Sequence, residues 1–189
     1  MKPLIVGTRG SKLALTQANY VIEQLQNKHR DVELKVRVIH TDGDLHTRTP
    51  EVNLGVGIFV KEIEEALLNG TIDMAVHSLK DLPSTLPDGL SLPAFCRRGD
   101  ARDAFISPSN LPLAQIPLGS RIGTNSPRRS SLLLYQRPDL EIRPLRGNVE
   151  SRLAKIKGPA YDGAVLAVAG LQRLGLDDVI TEYLPPEQF

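Results

Sequence analysis

Apolar residues along the chain recur in two alternating patterns: short continuous runs, and longer stretches with an apolar position every three or four residues. The short runs predict buried strands, and the longer stretches predict amphipathic helices. Strands are predicted at residues 4–8, 32–40, 72–77, around 122, 141–145 and 163–167. Helices are predicted at 12–26 after a Ser11 cap, and at 58–69, 127–135, 149–156 and 168–174. This alternation of strand and helix favours an α/β fold with largely parallel sheets.

Two proline-containing stretches, Pro83–Pro93 and Pro108–Pro117, interrupt this pattern and are expected to be loops. Between them, the polar segment Cys96–Arg102 carries no periodic apolar pattern. We therefore predict a crossover between two domains there, with domain 1 at residues 1–98 and domain 2 at residues 99–189.

The composition is that of an ordinary soluble protein, with 41% hydrophobic and 24% charged residues in a chain of 189. A single cysteine, Cys96, excludes an intrachain disulfide and a Cys/His zinc cluster, and we expect it to be a buried free thiol. The four histidines lack the spacing of metal ligands, so no metal is predicted. No apolar run approaches the roughly 18 residues of a membrane span, and the N-terminal apolar stretch is too short for a signal peptide. These features predict a cytoplasmic protein that does not enter a membrane.

Charge is nearly balanced over the whole chain but is uneven along it. The net charge of +1 argues against a nucleic-acid-binding protein that relies on bulk positive charge. The segment from Arg121 to Lys157, however, holds nine basic and three acidic residues, a local charge of +6. An excess of arginine on an otherwise neutral protein suggests a site for a small polyanion, although a solvated basic face remains the alternative.

Arginines and hydroxyl residues recur where a predicted strand meets a predicted helix. The first such junction is Thr8-Arg9-Gly10-Ser11, and a second runs from Thr124 through Asn125, Ser126 and Pro127 to Arg128 and Arg129. A third contains Arg146 and leads into the helix that bears Arg152. In parallel α/β sheets these junctions lie at the carboxyl ends of the strands, where ligands bind and where helix N–H groups attract anions. Each arginine taken alone could be a structural ion-pair partner, but the set of five fits a ligand with several carboxylates.

One acidic residue stands among these cations. The predicted strand 72–77 runs into Ser78-Leu79-Lys80-Asp81, which places the Asp81 carboxylate at another strand end. A carboxylate in this position could stabilise a cationic intermediate or orient an amine leaving group. A simple Lys80–Asp81 pair within a turn explains the same spacing equally well. The Gly55-Val56-Gly57 segment lacks the third glycine of a dinucleotide fingerprint.

These junctions also carry a resemblance to a known family. The chain is similar to the porphobilinogen deaminase (hydroxymethylbilane synthase) family over nearly its whole length and in the family's order. The matching segments are GTRGSKLALTQA (7–18), TDGD (41–44), FVKEIEEALLNGTIDMAVHSLKDLP (59–83), RRGDARDAF (97–105), RIGTNSPRR (121–129), RPDLEIRPLRGNVESRLAKI (137–156) and YDGAVLAVAGLQRLGL (161–176).

The resemblance implies both a fold and a reaction. The expected fold is two doubly wound α/β domains resembling type II periplasmic binding proteins, with the active-site cleft between them. The expected reaction is the stepwise, head-to-tail condensation of four porphobilinogen molecules to hydroxymethylbilane with release of ammonia, in tetrapyrrole (porphyrin, haem) biosynthesis. The family enzyme primes this reaction on a dipyrromethane cofactor, and we expect a monomer whose partner is the small-molecule substrate.

The resemblance also assigns roles to residues of this chain. It implies that Asp81 is the catalytic aspartate, and that a group of residues binds the cofactor: Lys80, Asp81, Arg128, Arg129, Ser126, Thr124 and Ser11. It implies that a second group holds the acetate and propionate carboxylates of the substrate: Arg9, Arg146, Arg152 and Arg173.

The sequence departs from the family pattern at two places. Gly55-Val56-Gly57 stands where the family usually has a glycine-lysine-glycine loop, so one expected cation is missing. The chain also stops at Phe189, before the third domain that carries the cofactor cysteine in the family, and Cys96 does not match that cysteine. We therefore expect a truncated form that is inactive alone.

A solute-binding-type module for a small polycarboxylate anion is the rival hypothesis. The lack of an export signal and the presence of Asp81 both argue against it.

Overall fold

The computed structural model describes residues 2–41, 60–187 and 189, which divide into two compact units, residues 1–97 and residues 98–189. We call these the first and second units. Several predicted features lie outside the described residues: Asp42-Gly43-Asp44, His46, Gly55-Val56-Gly57, and Ile58 and Phe59 at the start of a predicted helix. None of the helices in the described ranges is long and apolar enough to cross a membrane.

The first unit is a small parallel sheet with a helix after each of its first two strands. Its elements are β1 (Leu4–Thr8), α1 (Lys12–Lys28), β2 (Leu34–Val38), α2 (Lys61–Leu68) and β3 (Met74–Ala75). The strand order is β2-β1-β3, and both neighbours run parallel to β1. Helix α1 begins as predicted, because the Ser11 hydroxyl accepts a hydrogen bond from the Ala14 N–H at 3.2 Å. Helix α2 is followed by Gly70, whose φ of +69° suits the glycine predicted to stop it.

The second unit is a five-stranded mixed sheet. Its elements are β4 (Asp103–Ile106), β5 (Arg121–Gly123), α3 (Pro127–Gln136), β6 (Glu141–Arg143), α4 (Val149–Ile156), β7 (Gly163–Ala167), α5 (Val168–Arg173) and β8 (Glu182–Leu184). The strand order is β6-β5-β7-β4-β8. Strands β5, β6 and β7 run parallel, whereas β4 is antiparallel to both β7 and β8. The core on one face contains Phe105, Ile122, Leu133 and Val165, all at most 1% exposed.

The structure confirms the α/β class and corrects the sequence analysis at particular elements. Strands β4 and β8 were not predicted, and they make the second sheet mixed rather than largely parallel. The four residues of β4 are all buried, so the segment lacks the alternation that marks a half-buried strand. Strand β3 has only two residues, fewer than the predicted 72–77, and a short 3₁₀ helix follows Ser78.

The exposure of Cys96 and of strand β2 also bears on the sequence analysis. Cys96 is exposed, not the buried thiol that we expected, because it lies in an irregular, exposed segment near the end of the first unit. Strand β2 forms as the alternating pattern predicts, but it is an edge strand. Val36 and Val38 remain 39% and 42% exposed among the described residues.

The contact between β4 and β7 depends on a glycine. A Cβ atom at Gly163 would lie 2.7 Å from two ring carbons of Phe105 and 3.0 Å from the Ile106 carbonyl oxygen. Real Cβ atoms do not approach other atoms so closely, so the Phe105 ring occupies the space that any larger residue would need. Gly163 therefore allows Phe105, the largest fully buried side chain of the described residues, to pack closely against strand β7.

We expect Gly163→Ala to destabilise the second unit by about 1–3 kcal/mol, because the added methyl group overpacks the core against Phe105. Urea unfolding followed by circular dichroism measures the change. Gly158→Ala is the matched control, since its Cβ atom would meet only the Lys155 carbonyl oxygen, at 3.4 Å. Equal unfolding midpoints for the two variants would contradict the packing argument.

Candidate functional site

The first unit brings polar residues together at the carboxyl ends of its parallel strands. Strands β1 and β3 are neighbours, so the segment after Thr8 and the segment after Ala75 lie at the same edge of the sheet. A cavity of about 50 Å³ lies there, and its polar lining residues are Arg9, Ser11, Gln17, His77, Ser78 and Asp81. The structure thus brings together three of the residues assigned from the sequence: Arg9, Ser11 and Asp81.

Hydrogen bonds fix the two chain segments that line this cavity. The Ser78 hydroxyl donates to the Gln17 side-chain oxygen at 3.0 Å, which ties the segment after β3 to helix α1. The Thr8 hydroxyl donates to the Ala14 carbonyl oxygen at 3.3 Å. The Asp81 N–H donates to the Ser78 carbonyl oxygen at 2.9 Å and closes the 3₁₀ turn. Asp81 is therefore held by its backbone, half-buried at the cavity, whereas Lys80 in the same turn is exposed.

His77 is a site residue that the sequence analysis missed, since it considered the histidines only as metal ligands. It lines the same cavity as Asp81 and is half-buried. Burial lowers the pKa of His77 below 6.5, the nearby Asp81 carboxylate opposes this shift, and the Arg9 guanidinium adds to it. The charges of Arg9 and Asp81 therefore both act on the imidazole. Its place at the end of a predicted strand was the only sequence signal.

In the second unit, the predicted hydroxyl residues shape the start of helix α3. The Ser126 hydroxyl accepts from the Arg129 N–H at 3.4 Å, with Pro127 at the first helical position. The Thr124 hydroxyl accepts from the Ser126 N–H at 3.1 Å, and the Asn125 side-chain oxygen accepts from the Leu145 N–H at 2.9 Å. Thr124 and Ser126 thus help to set the position of the two arginines that follow.

Both of those arginines bind one buried carboxylate. Arg129 donates to the Asp103 Oδ1 atom at 2.6 Å, and Arg128 donates to the Asp103 Oδ2 atom of the same side chain. The Asp103 side chain is only 6% exposed, against 15% for Arg129 and 56% for Arg128. The Arg129 Nε atom is buried and, within the described part of the chain, has no hydrogen-bond partner. A buried N–H without an acceptor is costly, and a carboxylate ligand would satisfy it.

Arg152 adds a third guanidinium close to this pair. Its Nε atom donates to the Gly147 carbonyl oxygen at 2.7 Å. Burial lowers the pKa of Arg152, and the positive charge of Arg129 lowers it further. Two partly buried cations that repel each other form an environment that favours an added anion.

The remaining assigned arginines are less closely grouped. Arg146 is half-buried, and its carbonyl oxygen accepts from the Lys155 ammonium at 2.9 Å. Arg173 is exposed at the last residue of α5, the end farther from strand β7. Contacts and charges of the described residues therefore connect Arg128, Arg129 and Arg152, whereas Arg173 lies at the last residue of α5.

Comparisons with known proteins match both the sequence and the fold. Residues 4–189 match the family model described as "Porphobilinogen deaminase, dipyromethane cofactor binding domain". The chain is 50% identical over 190 residues to the porphobilinogen deaminase of Macrococcus caseolyticus, covering 99% of this chain and 62% of that protein. It is 52% identical over 190 residues to the porphobilinogen deaminase of Geobacillus kaustophilus, covering 98% of this chain and 60% of the relative. The chain thus spans about three-fifths of the length of the relatives it matches.

Among solved structures, a lipoprotein from Bacillus subtilis is similar with a TM-score of 0.52 and 13% sequence identity. The match covers 98% of this chain and 79% of the lipoprotein. At that identity the likeness concerns the fold alone. It supports the predicted resemblance to the periplasmic-binding-protein fold, whereas the sequence relatives do not favour the rival solute-binding hypothesis.

The lowered pKa of His77 makes the stability of the first unit depend on pH. The unfolded chain takes up a proton near pH 6.5, whereas the folded chain takes it up only at lower pH. We therefore expect the free energy of unfolding to fall as the pH decreases from 6.5 toward the folded-state pKa. Urea unfolding on both sides of pH 6.5 should show a shallower pH dependence in His77→Gln. An imidazole that titrates at or above 6.5 by NMR would contradict this expectation.

Proposed function

Because the chain belongs to the porphobilinogen deaminase family, we propose that it carries the substrate-binding and catalytic residues of a hydroxymethylbilane synthase. This enzyme joins four porphobilinogen molecules head to tail and releases ammonia at each condensation, on the route to haem and other tetrapyrroles. The observation that carries the proposal is the group of arginines at the carboxyl edge of the second sheet. There Arg128 and Arg129 share one carboxylate while a buried N–H of Arg129 lacks an acceptor.

Porphobilinogen suits this arrangement chemically. It bears an acetate and a propionate group, and guanidinium groups bind carboxylates with two parallel hydrogen bonds while remaining charged at any working pH. We assign the substrate carboxylates to Arg9, Arg146, Arg152 and Arg173. Of these, Arg152 has the best support, because its partly buried charge lies near a second cation and calls for a counter-ion.

Asp81 is the proposed catalytic residue. As the C–N bond of the substrate's protonated aminomethyl group breaks, nitrogen leaves with the bonding pair as ammonia, and the positive charge passes to the methylene carbon and the pyrrole ring. A carboxylate held next to that charge lowers the energy of the transition state. Asp81 fits this role because its backbone is fixed by the 3₁₀ turn and its side chain lines the cavity with Arg9 and His77.

The residues of the second unit fit a dipyrromethane cofactor. Such a group carries several carboxylates, and the donors present are clustered guanidiniums with one unsatisfied buried N–H. The residues proposed to hold it are Lys80, Asp81, Arg128, Arg129, Ser126, Thr124 and Ser11. When bound, the cofactor supplies the pyrrole carbon at which chain growth begins. We propose that it is attached to a cysteine outside these 189 residues, since Cys96 does not match the family's cofactor cysteine.

We further propose that Asp81 belongs to domain 1 (residues 1–98) and the arginine cluster to domain 2 (residues 99–189). The enzyme is proposed to be a cytoplasmic monomer that acts on a small molecule rather than on nucleic acid or a membrane. The net charge of +1 supports that choice of partner.

We expect Asp81→Asn, made in the native gene product, to lower ammonia release from porphobilinogen at least about 100-fold, because the developing cation loses its counter-charge. Circular dichroism and the unfolding midpoint should stay unchanged, since the backbone N–H closes the turn. The same change at the exposed Asp88 is the control and should leave turnover intact. Near-normal turnover by Asp81→Asn would refute the catalytic assignment.

Arg129→Leu should block cofactor loading rather than slow turnover of a loaded enzyme, because it removes the more buried of the two guanidiniums that bind Asp103. The measurement is the intact mass of the native gene product, which should exceed the polypeptide by two linked pyrroles in the wild type but not in the variant. Arg121→Leu is the matched control, because it also removes an arginine–aspartate pair, to Asp162. An Arg129→Leu protein with normal cofactor mass would sink this assignment.

A further inference from the structure

Asp103 occupies an unusual place at the arginine cluster, and no assignment from sequence included it. Its two carboxylate oxygens are divided between two side chains, with Oδ1 accepting from Arg129 and Oδ2 from Arg128. Arg129 also donates to the Val165 carbonyl oxygen of strand β7 at 3.3 Å. The buried carboxylate therefore binds both guanidiniums at the start of α3, and Arg129 connects this group to strand β7.

The reversed direction of β4 explains how this carboxylate reaches the site. Asp103 is the first residue of β4 and pairs in register with Ala167, the last residue of β7. Because the two strands are antiparallel, the amino end of β4 lies at the carboxyl edge of the parallel strands. The carboxylate thus meets the N-terminus of α3, which follows β5 at that same edge.

A carboxylate in this position can have either of two roles, and the two predict opposite effects of its removal on anion binding. As a mere counter-ion, Asp103 would compete with an incoming anion, and its removal would strengthen anion binding. As a positioning residue, it would keep the guanidiniums in the arrangement that the anion needs, and its removal would weaken binding although the site gains positive charge. The division of its two oxygens between two different arginines favours the second role, because each guanidinium is fixed separately.

We propose that Asp103 is a positioning residue that aligns Arg128 and Arg129 for a ligand bearing several carboxylates. The identity of that ligand, a dipyrromethane group with acetate and propionate arms, rests on the function proposed above. Porphobilinogen carries the same arms and serves as the probe. In this role Asp103 does not touch the reacting atoms and acts only through the two arginines.

Asp103→Asn tests the proposal in the 189-residue chain by calorimetric titration with porphobilinogen at fixed ionic strength. The amide keeps one oxygen, so only one of the two arginines retains its acceptor, and the other faces an NH₂ donor. We expect binding to weaken at least about tenfold despite the added positive charge. Binding that is unchanged or tighter overturns the positioning role.

Asp162→Asn is the matched control. The Asp162 carboxylate accepts from the Arg121 guanidinium at 2.8 and 2.9 Å and from the Arg121 backbone N–H at 2.8 Å, and it lies at the amino edge of the same sheet. Removing its charge should leave the affinity within about twofold of wild type, because distant sites act independently. An equal loss of affinity in this control would reduce Asp103 to a general stabiliser of the second unit and overturn the proposal.

Asp103→Glu keeps the charge but moves the carboxylate by one methylene, and it serves if Asp103→Asn does not fold. Binding weaker than wild type supports positioning, and wild-type affinity contradicts it. If the wild-type chain does not bind porphobilinogen, the proposed function fails. The same variants are then titrated with tricarballylate, which has three carboxylates and no pyrrole. No binding of either compound by the wild-type chain overturns both proposals.

Discussion

The direction of strand β4 is the constraint on which the second unit depends. Its four residues are all buried between β7 and β8, so its path cannot change without opening the sheet. Its reversal places Phe105 against Gly163 in the core and Asp103 at the edge where the parallel strands end. One strand thus supplies the largest buried side chain and the only carboxylate that the described ion pairs bring to Arg128 and Arg129.

The Asp103 carboxylate neutralises only part of the positive charge of the arginine cluster. Cations in the first turn of α3 oppose the helix dipole, and a buried guanidinium costs free energy unless it is paired. Asp103 offsets part of this cost for two arginines. Among the described residues, Arg152 makes no ion pair and the buried Nε atom of Arg129 has no acceptor. The folded chain therefore keeps an excess of positive charge at one sheet edge, and a ligand with several carboxylates would stabilise it. This excess of positive charge is the physical basis of the proposed cofactor site.

The sequence predicted the parts of this structure that follow from local patterns. Helix α4 and strand β7 have the predicted bounds, and Ser11 caps α1 as expected, because periodicity and capping are properties of neighbouring residues. Strand β4 escaped prediction because a short, fully buried segment has no periodicity, and its antiparallel direction is set by partners about 60 and 80 residues away. Asp103 was missed for the same reason, since only that direction brings it to the arginines.

The two units use the same strand–turn–helix arrangement with different charges. In both units, a serine hydroxyl caps the helix that follows the strand, and this cap fixes the turn between them. The charged side chains next to the turn then determine which ligand each unit can bind. The first unit combines Arg9 with Asp81 and a half-buried His77, a mixed environment suited to a charge that appears and disappears during a reaction. The second unit concentrates arginines, an environment suited to ligand carboxylates that stay charged throughout. If the proposed function holds, the first unit stabilises the transition state and the second unit binds the ligand. Asp81 acts on the developing cation, and Asp103 acts only through the arginines that it aligns.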